Sequence, residues 1–204
     1  MAPSLPTLSK VEKSATASEI AHFKTVPLAK ATLDDHAFKP IYISRSLTPD
    51  GLGHTLMADT WNTPATIAHL LSLYRPSSSC NSDVRAEVRR FYDFGSGLNA
   101  HSGLLHGGVL SCILDSTMSN MAGLAARELP TEAKSMMIFT VQLNVKYEKP
   151  VKTPAAVMVK AWIKSIDEKG KKFWVEACVV SGESGKVSHA KAEGLWLRSS
   201  TEKL

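Results

Sequence analysis

The hydrophobic and polar positions of this chain follow two different periods before and after residue 130. From Val109 to Ala126 the residues are apolar or small on every side, which is typical of a helix enclosed by protein. Beyond this helix the period changes from about 3.6 residues to about 2. The first alternating segment has its apolar positions at Phe139, Val141, Leu143, Val145 and Tyr147.

Three more segments of this kind, residues 157–166, 173–180 and 187–197, are joined by hairpin-type turns at residues 167–170 and 182–185. One enclosed helix followed by four long antiparallel strands predicts an α+β fold. In that fold a curved antiparallel sheet wraps a long central helix.

The N-terminal part carries shorter patterns. Residues 18–34 have helix-like apolar spacing interrupted by Pro27, which predicts two short helices. Residues 41–43 and 54–57 flank the turn sequence at 48–51 and predict a β-hairpin. Thr63 and Pro64 are typical of a helix start. The packing face of that predicted helix holds Ile67, Leu70, Leu71, Leu73 and Tyr74.

A polar segment from Arg75 to Asp83 is the best candidate for a boundary within the chain. Val84 to Phe94 is predicted to be a strand, although a helix up to Arg90 also fits the pattern. The length of 204 residues supports one good core with an appendage. We therefore expect an N-terminal extension over residues 1–83, with short helices and a possible hairpin, and a helix-and-sheet domain over residues 84–204.

Charge and cysteine content exclude several classes of protein. The net charge of +5 is scattered, without the basic cluster of a nucleic-acid binder, and suits a small phosphate-bearing ligand. Cys80, Cys112 and Cys178 match neither a disulfide framework nor a metal site, and small buried side chains are a better interpretation of Cys112 and Cys178 than nucleophiles. No metal ligation is predicted.

The expected localisation is cytoplasmic. The apolar helix carries serines, an asparagine and an aspartate, so we do not expect it to span a membrane. The first sixteen residues lack the apolar segment of a secretory signal, and a mitochondrial transit peptide is the alternative. The last three residues resemble a peroxisomal signal but lack its small first residue.

One carboxylate, Asp115, stands in the middle of the apolar helix. Burial of an ionised acid costs several kcal/mol unless the acid is paired, and no Lys or Arg lies within a turn of it. His106, Gly107 and Gly108 precede the helix, and their backbone N–H groups at its positive end are suited to a developing oxyanion. Because Gly107 and Asp115 are about 12 Å apart along one helix, one reaction needs Gly107 of one subunit and Asp115 of another. The prediction is an obligate homodimer with two identical sites at its interface. The protein is then either this dimer or a dimer of such dimers.

These residues resemble a known family. Gly103 to Gly108, then Leu114 and Asp115, then Thr140 ten residues before Pro150, are similar to the hotdog-fold acyl-CoA thioesterases of the phenylacetate-pathway type. The resemblance covers residues 87–197. It implies a hotdog fold, hydrolysis of an acyl-CoA or acyl-carrier thioester, and active sites between protomers. No cofactor is implied, because coenzyme A is part of the substrate.

The resemblance also implies roles for individual residues. Asp115 corresponds to the general base or nucleophile, the Gly107 N–H to the oxyanion donor, and Thr140 to the residue that orients the water. The family often has an Asn where this chain has Ala100, so Asn99 or His101 is the candidate to bind the thioester carbonyl. Gly108 belongs to the same substrate-binding terminus.

Other polar residues have both a functional and a structural interpretation. His106 is a candidate acid or base, but a histidine before a helix more often fixes the turn. Lys146, Lys149 and Lys152 are candidates for the phosphates of coenzyme A, although lysines at strand ends commonly shield sheet edges. The loop at residues 95–101 and the N-terminal helices are expected to shape the acyl pocket. Trp61, Phe94, Met136 and Met137 either line that pocket or belong to the core.

Two alternative functions keep the same fold. The acid and the helix terminus also suit a non-hydrolytic tailoring reaction in biosynthesis, namely dehydration, isomerisation or cyclisation. The other alternative is a non-catalytic acyl binder in which Asp115 belongs to a buried polar network.

Overall fold

The computed structural model describes residues 10–41, 45–77, 85–129 and 136–200. The helices in this part of the chain are α1 (Lys10–Phe23), α2 (Pro27–Leu33) and α3 (Gly107–Arg127). The strands there are β1 (Lys39–Pro40), β2 (Ile67–Arg75), β3 (Glu87–Phe94), β4 (Asn99–His101), β5 (Leu104–Leu105), β6 (Met136–Tyr147), β7 (Ala155–Ile166), β8 (Lys172–Ser181) and β9 (Val187–Ser200).

Seven of these strands form one antiparallel sheet in the order β1-β2-β3-β7-β8-β9-β6, and β4 and β5 form a separate small hairpin. Helix α3 packs against the inner face of the large sheet and contacts β3, β6, β7, β8 and β9. Their apolar side chains form the main core. This is the predicted α+β arrangement of a hotdog fold, and the four predicted strands beyond residue 138 are confirmed as β6 to β9.

The outer face of the sheet carries a second core. Helices α1 and α2 cover β2 and β7, and the side chains between them are mainly apolar. The buried residues of this cluster are Phe23, Leu28, Ala29, Phe38, Leu71, Leu73, Phe91, Met158 and Val180. The predicted pair of short helices is confirmed, with Pro27 as the first residue of α2.

The helix predicted from Thr63 onward is wrong, because residues 67–75 form strand β2. Thr63 and Thr66 form a tight turn instead of a helix start, with Thr66 N–H donating to the Thr63 carbonyl at 3.1 Å. Both faces of β2 are covered, by α1 on one side and the main core on the other, so its apolar residues do not alternate. A strand of this kind has a near-continuous hydrophobic sequence that period alone does not separate from a helix.

The predicted hairpin at 41–57 is also wrong in its second strand. Residues 56–60 form a π-helical turn, Leu56–Thr60. The turn at 48–51 is confirmed, since Gly51 N–H donates to the Thr48 carbonyl at 2.8 Å and Gly51 has a φ of 74°. Ile41 N–H donates to the Ser72 carbonyl beside β2, while Tyr42 and Ile43 lie outside the described residues.

The strand predicted from Val84 to Phe94 is confirmed from Glu87 onward as β3. It pairs with β2 from residue 87 to residue 94, so the sheet joins elements on both sides of the predicted boundary at residue 83. Cys80 and Val84 lie outside the described residues. The division of the chain into residues 1–83 and 84–204 stays a prediction. Among the described helices, none is both long and apolar enough for a membrane span.

Candidate active site

Asp115 lies in the third turn of α3 and is half-buried. The Thr140 hydroxyl on β6 donates to Asp115 Oδ1 at 2.7 Å. The sequence predicts that α3 is enclosed on every side, but within a single chain only one face of this helix is buried. The other face carries half-buried small or polar side chains at Ser111, Cys112 and Ser116, so Asp115 is not surrounded by apolar groups.

A β-bulge in β6 accounts for the direction of Thr140. The register of β6 against β9 shifts between Thr140 and Gln142, which adds one residue to the strand. Before the bulge, Ile138 packs on the main core. After the bulge, Leu143 and Val145 pack on the same core, although each lies an odd number of residues from Ile138. Val141, predicted to share their face, is 58% exposed. The bulge therefore leaves Thr140 on the side that meets α3.

A cleft of about 480 Å³ opens beside this carboxylate. Its walls come from α3, from β3 and β6, and from the π-helical turn with the two residues before it. The lining residues are His54, Thr55, Leu56, Met57, Arg90, Cys112, Asp115, Ser116, Ser119, Asn120 and Ile138. Residues 54–57 form part of this wall, whereas α1, α2 and the loop at 95–101, which were predicted to shape the pocket, do not line it. Trp61, Phe94 and Met137 do not line the cleft, and Phe94 is a core residue.

Arg90 is the one cation in this lining besides a histidine, and it is only 4% exposed. Its Nε donates to Ser72 Oγ at 3.2 Å, and its Nη1 donates to Ser116 Oγ at 2.8 Å. It shares the inward face of β3 with Val88, Tyr92 and Phe94. Sequence reasoning missed this residue, although a charged side chain at a core position of a strand is a signal that could have found it.

The start of α3 is held by His106. Its ring Nδ1 accepts a hydrogen bond from Gly108 N–H at 2.8 Å, so the imidazole caps the helix. A Cβ on Gly108 would lie 2.9 Å from that nitrogen, which explains the glycine there. The geometry agrees with the turn-fixing interpretation of His106. It also commits the Gly108 N–H to the cap.

Gly107 is the first residue of α3 and is half-buried. Its carbonyl accepts a hydrogen bond from the Tyr147 hydroxyl at 3.0 Å, and that hydroxyl also lies 2.6 Å from Ser111 Oγ. No acceptor for the Gly107 N–H occurs among the described residues. Neither Gly107 nor Gly108 lines the Asp115 cleft of the same chain.

The remaining predicted substrate-binding residues lie outside that cleft as well. Asn99 is half-buried in β4, where its Oδ1 accepts a hydrogen bond from the Thr153 hydroxyl at 2.6 Å. His101 and Lys149 are exposed. Lys146 and Lys152 are exposed too, in β6 and in the loop after it. The structure thus brings Asp115 and Thr140 together but leaves the helix terminus and its neighbours apart from them within one chain.

The thiol of Cys112 faces the same cleft. Burial, followed by the negative charge of Asp115, raises the pKa of Cys112 above its ordinary value. A raised pKa keeps the thiol protonated at neutral pH, which agrees with the prediction that it is not a nucleophile. No group of three or more His, Cys, Asp or Glu side chains among the described residues is arranged to hold a metal ion.

Comparison with known families bears on these elements. Residues 102–187, which run from the small hairpin through α3 to the start of β9, match the family model of the thioesterase superfamily. This part of the chain is therefore similar to the thioesterase superfamily. The matched segment includes Asp115, Thr140 and the glycines of the helix start.

Two curated relatives extend the comparison. Verlamelin biosynthesis protein B of a Lecanicillium species is 26% identical over 179 residues, which cover 75% of this chain and 77% of that protein. The acyl-coenzyme A thioesterase THEM4 of Rattus norvegicus is 28% identical over 121 residues, or 58% of this chain. That match spans 47% of the rat protein.

Solved structures with a similar arrangement include a thioesterase of Haemophilus influenzae, with a TM-score of 0.46 and 13% identity over 56% of this chain and 72% of that one. The PaaI protein of E. coli has a TM-score of 0.46 and 11% identity, over 55% of this chain and 72% of its own.

Proposed function

We propose that this protein hydrolyses an acyl thioester of coenzyme A or of an acyl carrier to the free acid and the thiol. The observation that carries the proposal is the Asp115 and Thr140 pair, joined at 2.7 Å beside an open cleft. It lies inside the segment that matches the family model of the thioesterase superfamily. The similarity to THEM4, an acyl-coenzyme A thioesterase by name, supports the same reaction.

The chemistry needs an activated water and a site for the tetrahedral oxyanion, because a thiolate leaves without strong acid catalysis. Asp115 acts as the general base, or as the nucleophile that first forms an anhydride. The Thr140 hydroxyl donates its hydrogen to Asp115, so its oxygen is free to accept one from the water. In the general-base route, Asp115 takes a proton from water as the water oxygen adds to the carbonyl carbon. The C–S bond then breaks, the thiolate leaves with the electron pair, and the proton on Asp115 is released with it as the free thiol.

The oxyanion donor in this proposal is the Gly107 N–H of a second subunit. Within one chain, Gly107 lies outside the Asp115 cleft. Strand β6 ends the sheet and presents exposed apolar side chains at Met137, Val141 and Tyr147. This edge has no partner among the described strands, and an edge of this kind is suited to pairing with a second copy. A homodimer through β6 and α3 would complete two identical sites.

The first experiment measures thiol release from a panel of short, long and aromatic acyl-CoA thioesters. Asp115→Asn is expected to reduce kcat by about 10²- to 10⁴-fold, because it removes the general base or nucleophile. The circular dichroism spectrum and the dimer mass should stay unchanged. An Asn variant with a near-normal rate would remove Asp115 from the mechanism.

A second variant tests the partner contribution. Gly107→Pro deletes one N–H at the first position of α3, where proline is tolerated, and His106 already has the extended backbone that precedes a proline. Its kcat should fall about 10²- to 10³-fold, whereas Gly107→Ala keeps the N–H and serves as the control.

Refolding the Asp115→Asn and Gly107→Pro chains together then tests whether one site is shared by two subunits. Half of randomly paired dimers are mixed, and each mixed dimer has one intact site, so about a quarter of wild-type activity should return. No recovery in dimers shown by mass to be mixed would overturn the shared site.

A second function is favoured by the relative named as a biosynthesis protein, which covers more of the chain than THEM4 does. The same acid could then serve a non-hydrolytic tailoring step on a bound acyl group. Substrate consumption without free thiol would favour tailoring, and tight binding without turnover would favour an acyl binder.

A further inference from the structure

Arg90 is a buried cation without an anionic partner in the part of the chain that the structure describes. Its side chain is 4% exposed, and none of the ion pairs found among those residues includes it. Its two hydrogen bonds go to the uncharged hydroxyls of Ser72 and Ser116. A buried charge left unpaired is costly, so its place in the wall of a cleft needs a reason.

Asn120 is a second, independent observation in the same cleft. Its Oδ1 is buried and has no hydrogen-bond partner among the described residues. The amide oxygen and nitrogen can be interchanged, so this position offers a ligand either an acceptor or a donor. Ser116 and Ser119 in the wall already accept hydrogen bonds from Arg90 and from Trp196 Nε1. A plain alkyl chain would leave the Asn120 oxygen unpaired.

We infer that the acyl group of the substrate carries a carboxylate, which Arg90 binds inside the cleft while Asp115 acts on the thioester carbonyl. The inference rests on the proposed function. A guanidinium has five N–H donors in a planar fork that fits a carboxylate, and the two serines use two of them. The acyl end is the part that meets Arg90, because this side chain is buried whereas the charged nucleotide of coenzyme A stays in water.

The neighbouring Arg89 provides a matched control. It lies on the opposite face of β3, where its Nε donates to Glu87 Oε1 at 2.7 Å, and it does not line the cleft. Replacing either arginine with glutamine removes one positive charge, and the two arginines are adjacent in one strand. Only the change at Arg90 should alter the choice of substrate.

The experiment compares hydrolysis of glutaryl-CoA with that of valeryl-CoA, which has the same number of acyl carbons and no carboxylate. The wild type is expected to favour glutaryl-CoA in kcat/KM, and Arg90→Gln should reduce that preference about 10- to 100-fold. Arg90→Lys should keep part of it, and Arg89→Gln should keep all of it. A wild-type preference for valeryl-CoA, or one that Arg90→Gln leaves unchanged, would overturn the inference.

If the wild type hydrolyses a hydroxyacyl-CoA with a higher kcat/KM than glutaryl-CoA, the assignment of a carboxylate is also overturned. Calorimetric titration of wild-type protein with monomethyl glutarate, which has one free carboxylate, and with methyl valerate, which has none, keeps the test open if Arg90→Gln does not fold. Monomethyl glutarate is expected to bind at least about tenfold more tightly, and equal binding contradicts the inference. If no thioester is hydrolysed although monomethyl glutarate binds selectively, the proposed function fails and the Arg90 site stands.

Discussion

Arg89 and Arg90 are consecutive residues of one strand, and the two faces of the sheet surround them differently. On the outer face, Arg89 donates to Glu87 at 2.7 Å and to Thr32 Oγ1 at 2.8 Å, and its guanidinium lies 4.4 Å from the centroid of the Phe38 ring. On the inner face, Arg90 has two serine hydroxyls and the wall of the cleft. The comparison separates a cation with an anionic partner from a cation that lines a cleft and has only hydroxyl partners among the described residues.

The outer side continues as a small network of charges. Glu87 also accepts from Arg75 at 3.2 Å, and Arg75 lies 3.7 Å from Asp35. These contacts join β2 and β3 to the segment after α2. Asp35 and Glu87 each have an arginine beside them, so this network stabilises the docking of the N-terminal helices. Its carboxylates are engaged in these ion pairs.

The largest effect on stability is expected from Glu87→Ala. Glu87 is 6% exposed and pairs with two arginines, so its removal should lower the free energy of unfolding by about 2–3 kcal/mol. Arg90→Met should change it by less than about 1 kcal/mol, because an apolar side chain of similar length replaces an unpaired charge. Urea denaturation measures both. Similar losses for the two variants would remove the contrast between the faces.

Thr140→Val sharpens the comparison from the cleft side. The change deletes the hydrogen bond to Asp115 and retains the shape of the side chain, so kcat should fall about tenfold with little loss of stability. Thr140→Ser retains the hydroxyl and should stay within about threefold of wild type. Steady-state thiol release gives both values. Equal rates for the Val and Ser variants would mean that the hydroxyl has no part in the reaction.

His106→Ala concerns a polar contact that neither pairs charges nor faces the cleft. Loss of the cap on α3 should cost about 1 kcal/mol and lower the Tm by a few degrees. His106→Asn can still accept from the Gly108 N–H and should recover most of that stability. An unchanged Tm in the Ala variant would contradict the capping role. A rate that falls further than the stability change explains would favour an acid or base role instead.

A large part of this fold is determined by local sequence. The apolar run that becomes α3, the alternation in β7 to β9 and the turn residues between these strands specify their elements without reference to distant residues, because helix period, pleat period and turn chemistry are local. Asp115 was a site candidate from the sequence itself and Thr140 from the family resemblance, and the structure adds a hydrogen bond of 2.7 Å between them. Their catalytic roles stay predictions.

Other features were decided only by tertiary structure. Strand β2 has a helix-like apolar spacing, and it is a strand because both of its faces are covered. The direction of Thr140 depends on a bulge that appears only when β6 pairs with β9. The polar side of α3 and the inward position of Arg90 combine into a cleft because residues distant in sequence, from 54 to 138, meet there. Contacts between residues distant in sequence leave no periodic pattern in the sequence, because they depend on how the elements pack.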